Sequence, residues 1–158
     1  MTIKTKLEKS DIIDTKRYEA IRNNFRKDIV EEKKLRRIAV GPYATFYFES
    51  YNTMWYQVQE MLRIEKGGKE QIIDELLAYN PLIPNGSELV ATLMFEIDNP
   101  DIRTAFLSGL GGVEEQITMG VGEKMITAVP EEDVDRTSAS GKASSVQFVH
   151  FNLRFEIT

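Results

Sequence analysis

Apolar positions along the chain follow two rhythms. Between about Asp14 and Arg36, Tyr18, Ile21, Phe25 and Ile29 recur every three or four residues, which is the spacing of one narrow helical stripe. The second half of that segment, KDIVEEKKLRR, is mostly charged and reads as a solvated helix face, with Glu32 and Arg36 four apart in the order that favours a surface pair. Residues 1–13 ahead of it read as a loosely held lead-in. RIAVGPYATFYFES changes to a two-residue rhythm rich in β-branched and aromatic side chains, so a strand is expected, with Gly41-Pro42 marking a bulge or an edge near its start. A helix follows to about Lys66, capped by Asn52 or Thr53 and stopped by Gly67-Gly68, and KEQIIDELLAY is a third helix with Ile72, Ile73, Leu76 and Leu77 on one side.

The remainder alternates more cleanly. In ELVATLMFEI, Leu89, Ala91, Leu93, Phe95 and Ile97 point one way. Asn99-Pro100 is a cap followed by a proline at the first helical position, which opens a fourth helix ending near Gly109. QITMGVGEKMITAV reads as a hairpin turning at Gly120 to Gly122. The stretch 130–145 is a long polar loop, expected to be mobile or functional. In VQFVHFNLRFEIT, Val149, Phe151, Leu153, Phe155 and Ile157 form an apolar face. The last three strands have no helix between them. The pattern therefore predicts one α+β domain over residues 1–158: a mainly antiparallel sheet of about five strands with about four helices, the helices largely on one face.

Against this pattern a few polar residues stand out. On the second helix Met54, Trp55, Val58, Met61 and Leu62 define an apolar arc, with Gln57 at its edge and Glu65 inside its continuation, one turn past Met61. An unpaired buried amide or carboxylate costs about 1–3 kcal/mol. Gln57 and Glu65 are thus expected either to pin the core through a partner, arginine being the natural one for Glu65, or, for Glu65, to reach solvent at the helix end. His150 is the one histidine, at the point where its strand face passes from Val146 and Phe148 to Asn152 and Arg154. It reads either as a hydrogen-bonded, half-buried side chain or as a general base or metal ligand near Glu49 or Glu60. No H-x-x-E-H or E-x-x-H spacing accompanies it. GLGGVEE follows a helix, lacks the Gly-Lys-Ser/Thr of a phosphate loop and reads as a helix C-cap; no Gly-x-Ser-x-Gly elbow is present.

Composition narrows the classes. With 158 residues, 42% hydrophobic and 28% charged, the chain suits one ordinary globular domain. The absence of cysteine excludes disulfides, thiolate nucleophiles, zinc fingers and cysteine-held iron–sulfur clusters. No apolar run is long enough for a membrane span, and the start lacks the apolar core of a secretory signal, so a cytoplasmic protein is expected. The net charge of −5 is unevenly spread. Residues 1–40 carry 12 basic and 7 acidic side chains, the remainder 8 and 18. A basic arm on an acidic body favours packing on its own or a partner subunit's surface over nucleic acid, so a homodimer is expected.

Several segments, RYEAIRNNFRKDIV, RRIAVGPYATFYFESYNTMWYQVQEMLRIEK, ELLAYNPLIPNGSELVATLMFEI and VHFNLRFEI, together resemble a prokaryotic family known as domain of unknown function three-five-zero-one. Positions that match its motifs are Glu49, Gln57, Glu60, Arg63, Glu65, Tyr79, Asn80 and His150; the resemblance assigns them no roles. It implies a setting beside rubrerythrin-like proteins or iron–sulfur redox proteins, and so a link to redox or peroxide-stress metabolism. Tyr43 stands where family members commonly carry histidine, which removes a second imidazole from any metal site. The reading is a non-catalytic accessory or interaction protein with no cofactor. The alternative is a small metal-dependent or ligand-binding enzyme using Glu49, Glu60 and His150.

Overall fold

The computed structural model describes residues 3–131 and 145–154. Among the described residues four α-helices and a five-stranded antiparallel sheet, with a separate two-stranded hairpin, make an α+β fold. The chain divides into two compact units, one of Met1–Arg36 and Glu49–Gly86, the other of Arg37–Phe48 and Ser87–Thr158. The expected polar loop over 130–145, and Phe155 and Ile157 of the last apolar face, lie almost wholly outside the described residues.

The first unit is helical. α1 (Thr15–Lys34) starts at Asp14, whose side chain accepts the Arg17 N–H at 2.8 Å. α2 (Tyr51–Glu65) starts one residue after Ser50, not at Asn52 or Thr53. Ser50 and Thr53 bond each other's backbone N–H reciprocally, so Thr53 serves as the third residue of a capping box and the expected cap is displaced toward Ser50. α2 stops where Lys66 adopts a left-handed conformation, and α3 (Gly68–Tyr79) follows. On α1 the inward stripe has Tyr18 and Ile29 buried and Arg22 and Phe25 half-buried between them, whereas Ile21 is exposed. At about 100° per residue, Arg22 falls about 20° beyond Ile29, beside the arc of Phe25, Tyr18 and Ile29, whereas Ile21 falls about 40° beyond Phe25 on the other side.

The 1–13 segment is not loose over residues 7–13. Leu7 is buried, and its backbone N–H and C=O both bond the Asn80 side-chain amide, at 2.7 and 3.0 Å. Ile13 is gripped the same way by Gln59, at 2.9 and 3.2 Å, and the Trp55 indole donates to the Asp11 carbonyl at 2.8 Å. Each amide offers one donor and one acceptor to one residue, which is what a neighbouring strand would offer.

The second unit holds the sheet, in the order β1 (Arg37–Val40), β2 (Ala44–Phe48), β3 (Glu88–Phe95), β7 (Val146–Asn152), β6 (Val129–Pro130). RIAVGPYATFYFES is not one strand but two. Gly41, at φ +65°, and Pro42 reverse the chain, and Val40 pairs with Ala44. A proline that cannot donate, next to a glycine free to turn left-handed, makes a hairpin there rather than a bulge. β3 is the central strand; Val90, Ala91, Thr92 and Leu93 are all buried, so it is covered on both faces rather than one. α4 (Pro100–Ser108) is capped by Asn99 as expected. β4 (Thr118–Val121) and β5 (Lys124–Thr127) form the hairpin, turning at Gly122 and Glu123. The core on this side gathers Ala91, Ile126, Ala128, Val149 and Phe151, with Leu93, Phe95 and Leu107 beside it.

Candidate functional site

Two polar clusters have the density that chemistry would need. The first joins α1 to α2. Tyr18 and Arg22 lie four apart on α1; Tyr56 and Glu60 lie four apart on α2. That spacing stacks each pair on one helix face. The Glu60 carboxylate accepts from the Tyr18 hydroxyl at 2.7 Å, from Arg22 Nε and Nη2 at 3.0 and 2.9 Å, and from the Tyr56 hydroxyl at 3.3 Å. The Arg22 fork, helped by the Tyr18 hydroxyl, holds the Glu60 carboxyl down at about 2 against the opposing effect of burial. Burial first, then the bond to Glu60, pushes the Tyr18 phenol above its ordinary range; burial also raises Tyr56. The Arg22 guanidinium is held still more firmly charged by its bond to Glu60. Glu60 is therefore an anchor ionised at neutral pH whose two oxygens are occupied, and it has neither the basicity of a general base nor a lone pair free for a metal.

The second cluster surrounds His150, in the other unit. In register, His150 stands between Val90 of β3 and Val129 of β6. Glu88 lies two residues before Val90 and Glu131 two after Val129, so both carboxylates are diagonal neighbours on the His150 face. Nδ1 of His150 is 3.1 Å from Glu88 Oε2, and Nε2 is 2.5 Å from Glu131 Oε2. All three side chains are mostly buried. The two ring nitrogens thus each face a carboxylate oxygen, and the imidazole links Glu88 of β3 to Glu131 just past β6.

The remaining expected residues do not converge. Gln57 donates to the Tyr79 hydroxyl at 3.3 Å. Arg63 pairs with Glu19. Asn80 holds Leu7 as described, and Glu49 is buried just ahead of the α2 cap and is not free. Glu65 is exposed, although the wheel puts it in the apolar arc. It is the last residue of α2, where the covering structure has ended, and its partner is the Gln71 amide at 3.0 Å rather than an arginine. Glu65→Ala is accordingly expected to move the urea midpoint by less than about 0.5 kcal/mol, as for an ordinary surface change. A loss above about 1 kcal/mol would show that the carboxylate carries structural weight. The pinning amide is instead Gln59, 2% exposed, which sequence reasoning passed over because it sits one turn after Trp55 at the far edge of the arc. Arg22, Glu88 and Glu131 were also missed; the i, i+4 spacing from Tyr18 was the available signal for the first. Among the described residues no three histidine, aspartate or glutamate side chains are placed to hold a metal ion, and no helix is long and apolar enough to cross a membrane.

An α+β fold with a saturated Tyr–Arg–Glu junction and a His–carboxylate bridge is the architecture these residues define. A family model described as Protein of unknown function (DUF3501) matches residues 6–157, and the chain belongs to that family. Its fold is similar to that of a solved protein described as a novel protein of unknown function from Burkholderia pseudomallei K96243, with a TM-score of 0.86 and 34% identity over 94% of this chain and 78% of that one. No curated protein matches the sequence.

Proposed function

We propose that the protein is a non-catalytic accessory protein that works by self-association and docking, in the cytoplasm, beside a redox system. The observation that carries this reading is where the strongest polar groups are spent. Glu60 accepts four hydrogen bonds from Tyr18, Arg22 and Tyr56, and both ring nitrogens of His150 face glutamates. Groups bonded in this way hold helices and strands together; a general base or a metal ligand needs a nitrogen or oxygen left for its substrate or ion. The charge division between residues 1–40 and the remainder supports association with a copy or a partner of complementary surface. The family resemblance supports a rubrerythrin-like or iron–sulfur protein as that partner.

The test is metal analysis of untagged protein purified from cells grown with iron, manganese and zinc. Substoichiometric metal, unchanged in His150→Ala, is the expected result. About one equivalent of any of these metals, lost in His150→Ala, would overturn the reading in favour of a metal-dependent enzyme at His150.

A further inference from the structure

We infer that β1 is the self-association surface, and that a second copy of this chain adds its own β1 to it antiparallel, about a two-fold axis through Ala39. The inference rests on the self-association part of the reading above and assigns it a place. β1 is an edge strand, bonded on one side to β2 and, among the described residues, to nothing on the other. Edge strands are normally blunted by inward charges or by being covered. Here Ile38 and Val40 are each 54% exposed. Their side chains share the face of Phe46 and Phe48 and, with Met119 of β4, line an open apolar groove of about 160 Å³.

The second copy fits this edge in both shape and charge. With Ala39 on the axis, Ile38 of each strand falls opposite Val40 of the other, so the exposed apolar pair is covered twice by one symmetric contact. Arg37 lies cross-strand from Tyr47, and the Tyr47 hydroxyl donates to Glu96 at 2.5 Å, so Arg37 and Glu96 share the opposite sheet face. The Glu96 N–H bonds the Tyr43 carbonyl at 2.7 Å, which puts Glu96 at the end of the sheet where β1 turns into β2. Glu96 and Asp98 are exposed there. Antiparallel pairing sets Arg37 of each copy opposite Gly41 of the other, on the sheet face and at the sheet end that carry Glu96, which lies two strands further in. A four-residue strand buries little area, so the dimer belongs to the weak, transient class.

Sedimentation of the full chain tests this. At high protein concentration and low salt the wild type is expected to be dimeric, and less so as salt rises. Ile38→Lys is expected to be monomeric with an unchanged melting temperature, since the position is exposed; Val40→Lys is the second variant should the first unfold. Arg37→Glu and Glu96→Lys are each expected to weaken association severalfold at low salt and less at high salt. An equimolar mixture of those two variants is expected to restore it. In the mixed dimer the two substituted charges have opposite sign at one end of the paired sheet, and the native Arg37 and Glu96 have opposite sign at the other. A mixture no more associated than either variant alone overturns the register. A dimer that survives both lysine variants overturns β1 as the surface while leaving self-association standing. A strictly monomeric wild type overturns the inference, and the metal analysis still decides the accessory reading.

Discussion

Glu60→Gln is expected to lower the stability of the folded protein by about 3 kcal/mol, read as a shift in urea midpoint at neutral pH. The amide keeps the shape of the carboxylate but not its charge, and it can no longer accept both arms of the Arg22 fork. Arg22, with a side chain only 19% exposed, is left facing a neutral group. Breaking one side of a buried ion pair costs about 3–5 kcal/mol, and the partial exposure of this pair places it at the lower end. A loss below about 1 kcal/mol would show that the junction between α1 and α2 does not depend on it. The pH dependence follows from the same carboxyl. Its folded value of about 2 lies below the ordinary 4.5, so the unfolded chain binds the proton first as pH falls. The contribution is complete above about pH 5 and is lost as the pH drops toward 2. Between pH 5 and pH 2 the wild type should therefore lose more stability than Glu60→Gln, and parallel curves would refute the assignment.

Gln59→Leu is expected to cost about 2–3 kcal/mol. Leucine fills nearly the same volume, so packing on α2 is conserved and the loss isolates the two hydrogen bonds to Ile13. Without them a part-buried backbone N–H and C=O lose their partner, at about 1–3 kcal/mol for a buried group left unsatisfied. Gln57→Leu is the control on the same helix, because Gln57 makes one 3.3 Å contact to a tyrosine hydroxyl. Calorimetric melting of both variants should show the larger drop for Gln59→Leu by several degrees. Equal effects would mean that the grip on Ile13 contributes nothing beyond packing.

Most of the regular structure was legible because local pattern decides it. Alternation in residues 88–95 and 146–152 identified β3 and β7, and Asn99-Pro100 identified the start of α4. The β1–β2 hairpin was not, because Gly41-Pro42 is compatible with either a bulge or a reversal, and the choice rests on whether Val40 finds Ala44. Ser50 was missed as a cap because Asn52 and Thr53 offer the same chemistry nearby. The polar sites were hidden for a different reason. Glu60 and Arg22 are 38 residues apart, and His150 and Glu88 are 62 apart. A wheel or an alternation shows which face a side chain takes but not which distant group awaits it. Glu65 shows the converse limit: its angle places it in the core arc, and only the end of the helix exposes it.

The grip of Gln59 and Asn80 on the N-terminal segment also gives the protein an optical readout. Trp55 is the single tryptophan. Its indole N–H ends on the Asp11 carbonyl, between the two gripped residues, while its ring packs edge-on against Phe25 and Tyr18, with centroids 4.8 and 5.8 Å away. Undocking of residues 7–13 would hydrate that indole before the helices themselves separate. Tryptophan emission therefore monitors the attachment of the N-terminal segment, while far-ultraviolet circular dichroism follows the helices. Local opening would appear as a red shift that precedes the loss of helix signal, with the amide protons of Leu7 and Ile13 exchanging on the earlier of the two transitions.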